Sequence, residues 1–169
     1  MRIAKFGGLP AHPLFVHIPI VLLPLVAIGA VAMTVSSRVR ERLGWTILAL
    51  AVVAGLSTQL AIGSGKALQD SVDHSAALDR HIAIAESIRP LALVLFLVAL
   101  VVMLLDRRSR GAWPFRGSPS VHTTTWLRTV MATLTLVVAS VTCARLYQIG
   151  DSGAKATWQR TRLVSPAVR

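Results

Sequence analysis

The sequence predicts an all-α fold, a four-helix transmembrane bundle, and three observations predict it. Hydrophobic residues make up 54% of the 169 residues and charged residues only 15%, where a soluble domain carries about 45–50% and about 25%. The mean hydropathy is +0.64. The apolar residues are gathered into four long runs, at 14–35, 43–63, 88–105 and 130–150.

Each run justifies one span. A helix needs about 20 apolar residues to cross about 30 Å of hydrocarbon. The first two runs carry no charge, and the fourth carries only Arg145. The third contains Arg89 and is short after Pro90, so its span is extended backwards through the more polar residues before it. The expected spans are 14–35, 43–63, 82–105 and 129–150, in a single integral membrane domain covering 1–169 with a basic tail at 151–169. A soluble bundle would need amphipathic helices to cover such runs, and none remain. A transmembrane barrel would need alternating strands of about ten residues. A cleaved leader is not expected, because the first run is too long for a signal-peptide core and contains Pro19 and Pro24.

The chain is strongly basic, with 18 Lys+Arg against 7 Asp+Glu and a net charge of +11. Four spans divide that charge between two membrane faces. Residues 1–13, the 64–87 loop and the tail share the terminal side; 36–42 and 106–129 share the opposite side. Arg38, Arg40, Arg42, Arg107, Arg108 and Arg110 are dense and close to helix ends on the opposite side. Positive charge in short loops marks the cytoplasm, so the termini are expected outside it. Contact with anionic headgroups of the lipid bilayer explains much of the rest. No nucleic-acid partner is expected, because that footprint needs one basic face with interleaved aromatics. The lone Cys143 can form no internal disulfide and is expected to serve packing.

The terminal-side ends of spans two and four echo each other. Ile62-Gly63-Ser64-Gly65-Lys66-Ala67 is matched by Ile149-Gly150-Asp151-Ser152-Gly153-Ala154-Lys155-Ala156. Two related helical hairpins would produce this. So would ordinary helix stops, in which Gly follows the last turn and Lys sits near it. A phosphate loop is excluded, since position 60 is Leu and position 67 is Ala.

Chemistry-bearing residues concentrate on the same side. Pro13 suits the first helical position, which puts His12 at the mouth of span one and His17 about a turn inside. Pro19 and Pro24 free the carbonyls of Phe15 and Ile20, so this helix start is expected to face protein. His17 lies within the apolar run, where an ionisable residue is a functional hypothesis by default. His74 and His81 lie before span three, in a segment 73–90 read as a helix with Glu86 and Arg89 positioned to pair. A polar network of Glu86, Arg89 and Arg145 is one expectation. Another is a cofactor site of His17 and His81, with His12 the weaker third member, holding haem b or a metal ion, since both accept imidazole. The plainer reading gives these histidines capping and anchoring roles. His122 reads as solvated. No Cys-x-x-Cys-His or His-Glu-x-x-His motif occurs, and no catalytic set is expected.

Gly8-Leu9-Pro10-x-His12-Pro13-Leu14-x-Val16-His17-x-Pro19-Ile20 resembles the start of domain-of-unknown-function family 2231, predicted four-span bacterial membrane proteins. Ile18 stands where Phe is usual there. Asp79-Arg80-His81-Ile82-Ala83 is similar to that family's segment before span three. Gly150-Asp151-Ser152-Gly153-Ala154-Lys155 resembles its closing motif, with Asp151 where many members carry His. The resemblance implies a four-helix domain of a bacterial inner membrane, without an activity to transfer. The functional expectations are a structural or accessory protein, as a homo-oligomer or a subunit of a membrane complex; a haem- or metal-binding redox helper; or a small transporter or channel. Gly29, Ala30, Gly55 and Ser57 would permit close helix contacts. Polar residues near one end only, Gln59 and Arg145, weigh against the transporter.

Overall fold

In the computed structural model, which describes residues 5–6, 9–69, 75–111 and 125–161, the chain forms a bundle of long helices. A two-residue strand, β1 (Lys5–Phe6), pairs antiparallel with β2 (Leu9–Pro10) just ahead of the first helix. The helices are α1 (His12–Val35), α2 (Ser37–Gln69), α3 (Ala76–Glu86), α4 (Ile88–Ser109) and α5 (Thr125–Thr161). Four helical stretches are long and apolar enough to cross a membrane: α1, α2, the path Ala76–Ser109 and most of α5. At about 1.5 Å per residue even α1 reaches about 36 Å.

The bundle runs up and down, with α1 beside α2 and α5, and α4 beside α2 and α5. Only Ser36 separates α1 from α2. Its extended backbone (φ −129°, ψ 114°) reverses the chain while its N–H still bonds Ala32. Pro90 explains the division between α3 and α4. It has no N–H for the Glu86 carbonyl four residues back, and the helix breaks at Ser87. The Ser87 hydroxyl then donates to the Ile84 carbonyl at 2.6 Å.

In lipid the apolar effect does not hold helices together; close packing and polar contacts do. Many of the buried residues are accordingly small, with Ala27, Ala30, Ala51, Ala54, Ala92, Ala99 and Ala139 inside among larger side chains such as Leu23, Met33, Leu95 and Met103. Gly29 lets α1 approach Ile47 of α2, whose Cγ1 would sit 3.0 Å from a Cβ there. Ala30 and Ser57 are buried as well. Gly55 does not join them, since a Cβ there would meet nothing within 4 Å. The interior hydroxyls of Ser57, Thr58, Thr135 and Thr142 donate to carbonyls one turn back in their own helices. The bundle's outer surface is apolar, with Val21, Ile28, Leu56, Leu93 and Leu136 exposed. Cys143 faces outward too and takes no part in the packing expected of it.

The Gly-Ser-Gly segments do not end helices. Gly63 and Gly65 lie within α2, and Gly150 and Gly153 lie within α5. The tail expected from 151 is therefore helical as far as Thr161. Gly65 and Gly153 are close-approach residues, whereas a Cβ at Gly150 would meet nothing within 4 Å.

At the opposite side, Arg40 anchors the α1–α2 corner to the end of α4. Its Nε donates to Asp106 at 2.9 Å and its Nη1 to the Met33 carbonyl. Asp106 and Glu41 also receive Arg110. Arg107 lies over the Trp45 ring, 5.2 Å from its centroid. Part of the dense arginine cluster is thus internal scaffolding, in addition to any role in orientation.

Candidate functional site

Helix ends from both halves of the bundle surround a cavity of about 360 Å³ on the terminal side. Small ligands occupy pockets of about 300–1,000 Å³. Its wall is mainly apolar, with Val16, Pro19, Ile20, Leu23, Ile62, Ile82, Leu146 and Ile149 among the lining residues. Two imidazoles, His12 and His81, interrupt that wall. Lys66 and Glu86 also line it and pair at 2.6 Å.

His12 is the first residue of α1, and Pro13 follows it in the first turn, where its missing N–H costs nothing. Its Nδ1 lies 3.0 Å from the Ala61 carbonyl and 3.4 Å from the Ser64 hydroxyl. The Ser64 hydroxyl donates to Ala61 at 2.9 Å. A carbonyl can only accept, so Nδ1 of His12 carries the proton. The ring lies flat enough on α2 that a Cβ at Gly65 would be 3.2 Å from both Cε1 and Nδ1.

His81 repeats the arrangement on the other half. It is carried by α3, whose first turn is capped by the Ser75 hydroxyl accepting from Leu78 N–H at 3.2 Å. Its Nδ1 lies 2.9 Å from the Ser152 hydroxyl. That hydroxyl donates to the Ile149 carbonyl at 3.0 Å. Nδ1 of His81 is therefore also the protonated nitrogen. A Cβ at Gly153 would sit 3.1 Å from its Cε1. One Ser-Gly pair in α2 and one in α5 thus each seat a histidine, and the sequence echo has a physical use. Among the described residues neither Nε2 has a hydrogen-bond partner.

The other expected site residues fall differently. His17 is exposed, and its Nδ1 bonds the Pro13 carbonyl of its own helix rather than a carbonyl freed by Pro19 or Pro24. It does not line the cavity; His12 does. Pro19 is buried against the cavity, and Pro24 lies within α1. Gly150 also lines the cavity. Asp151 is exposed and pairs with Lys155 at 2.7 Å. Among the described residues no hydrogen bond or ion pair joins Glu86, Arg89 and Arg145: Glu86 pairs with Lys66 and feels Arg89 through its charge, and Arg145 donates to Gln148 of its own helix at 3.1 Å. The Nε of Arg89 is buried without a hydrogen-bond partner. His74 and His122 lie outside the described residues. Among the described residues no group of three or more His, Cys, Asp or Glu side chains is placed to hold a metal ion.

The family model described as "Predicted membrane protein (DUF2231)" matches residues 8–165. The chain belongs to the DUF2231 family. That match spans both histidines and both Ser-Gly seats, so the whole cavity lies within the DUF2231 region. No curated protein and no solved structure matches the chain.

Sequence reasoning missed Ser64, Lys66, Ala61 and Asp106 as partners. The signal that could have found the first was the echo itself: two Ser-Gly pairs in corresponding places, and one histidine for each.

Proposed function

We infer that this membrane protein is a non-catalytic accessory protein whose working part is a binding site for a small hydrophobic molecule. One observation carries the reading: each half of the bundle contributes one oriented imidazole to the same apolar cavity. An apolar cavity with a few convergent polar groups is the usual form of a ligand site. A purely structural bundle needs neither the empty volume nor two half-buried histidines with unengaged Nε2 atoms.

The dense Arg38–Arg40–Arg42 and Arg107–Arg108–Arg110 groups support a cytoplasmic opposite side. That puts the histidine cavity at the extracytoplasmic face of a bacterial inner membrane. A reporter fused at the C-terminus should then be inactive if it requires the cytoplasm. The accessory role is exercised as a subunit of a membrane complex or an oligomer, and crosslinking in native membranes distinguishes the two.

The binding role is tested by native mass spectrometry of protein purified from its own membranes in mild detergent. Wild type should retain a small molecule that an Ala85→Trp variant, with the cavity wall filled, does not. Equal occupancy in the two proteins would refute a ligand site in this cavity.

A further inference from the structure

We propose that the cavity takes a haem, with Nε2 of His12 and Nε2 of His81 as its two axial ligands. The inference rests on the binding role proposed above and names the ligand class.

The tautomers carry the inference. A ligating histidine presents one bare nitrogen to the metal and holds its other N–H in a hydrogen bond to a carbonyl or similar acceptor. Both rings already meet this description through Nδ1, on Ala61 in one case and on Ser152 in the other. Neither Nε2 has a hydrogen-bond partner among the described residues, which leaves that edge of each ring for coordination. A hydrogen-bonding quinone would ask for N–H donors into the cavity, and these tautomers supply acceptors.

The number of ligands selects the metal's form. A bare zinc ion needs about four protein ligands or a water-completed three, and no such group exists among the described residues. A haem brings four nitrogens of its own and asks the protein for two. The surroundings agree with a porphyrin. The wall is mainly aliphatic, and its ion pair, Lys66 with Glu86 at 2.6 Å, is already neutralised. The seats at Gly65 and Gly153 set the ring positions, since any side chain there would push an imidazole inward. On binding, two Fe–N bonds form and the water or anion that free haemin carries on iron leaves to solvent, so the iron's oxidation state is unchanged.

The test is a haemin titration of the full-length protein in detergent, followed by absorption spectroscopy. Wild type should give a six-coordinate low-spin spectrum. His12→Ala and His81→Ala should each give a five-coordinate high-spin spectrum, and added imidazole should restore the low-spin form in both. Melting curves of the haem-free variants that match wild type show that they are folded. His17→Ala should match wild type. A high-spin wild type, or single variants that remain low-spin, would overturn the proposal. Metal-free protoporphyrin, followed by fluorescence, separates the two levels. If it binds as tightly as haemin and Ala85→Trp abolishes it, the cavity is a ligand site but the axial ligation is refuted. If neither porphyrin binds, haem is refuted, and the mass-spectrometric comparison of wild type with Ala85→Trp still decides the broader reading.

Discussion

Nδ1 of His81 lies 2.9 Å from the Ser152 hydroxyl, and that hydroxyl commits its own proton to the Ile149 carbonyl at 3.0 Å. Ser152 therefore accepts from the ring and fixes its tautomer. Ser152→Ala removes that acceptor. A neutral hydrogen bond contributes about 1 kcal/mol, so a small loss in thermal stability is expected. Loss of an outer partner lowers metal affinity about 10–100-fold, and haemin titration should show a drop of that order. Ser64→Ala should have a weaker effect, because His12 keeps the Ala61 carbonyl at 3.0 Å.

The glycines give a matched set. Gly65→Ala and Gly153→Ala each place a methyl 3.1–3.2 Å from an imidazole ring. Each should displace its histidine by a few tenths of an ångström and weaken the site. Gly55→Ala meets nothing within 4 Å and should be neutral or stabilise α2 by up to about 1 kcal/mol. Melting curves and haemin affinities of the three variants, measured together, separate these outcomes.

Gly44→Ala tests the core of the opposite end. Its Cβ would lie 3.2 Å from Cε of Met103 and closer still to the sulfur. Met103 is 1% exposed, so its side chain would have to shift within the core. Overpacking of this kind costs about 1–3 kcal/mol, visible as a lowered melting temperature. Gly44→Ala combined with Met103→Ala should recover part of that loss.

The spans were legible because hydropathy reports membrane burial directly, and four runs allowed one architecture. The break at Ser87 was hidden, although Pro90 announced it. Which histidine meets the cavity was not legible. His12 and His17 are five residues apart, about 140° around a helix, so they face different surroundings. Choosing between them needs the position of α2. The glycines had the same ambiguity: a helix stop and a close approach look alike until the neighbour is known. Asp106 was passed over among arginines because its partner, Arg40, is 66 residues away.

Arg40 and Asp106 are about 15% and 13% exposed, so their pairing is largely sheltered. Removing one partner of a buried pair costs about 3–5 kcal/mol, and this partly solvated pair should fall at or below the lower limit. Asp106→Ala should therefore destabilise the bundle more than Arg40→Met with Asp106→Leu together. Thermal unfolding in one detergent compares them. A double variant less stable than Asp106→Ala would contradict the assignment of Arg40 as the stranded charge.

The central claim is that His12 and His81 both hold their protons on Nδ1 and present bare Nε2 atoms to one cavity. Nitrogen-15 spectra of histidine-labelled protein, without added haemin, measure this directly. Difference spectra against His12→Ala and His81→Ala assign the two rings. Both should show a protonated Nδ1 and an unprotonated Nε2; a proton on Nε2 of either ring would contradict the claim.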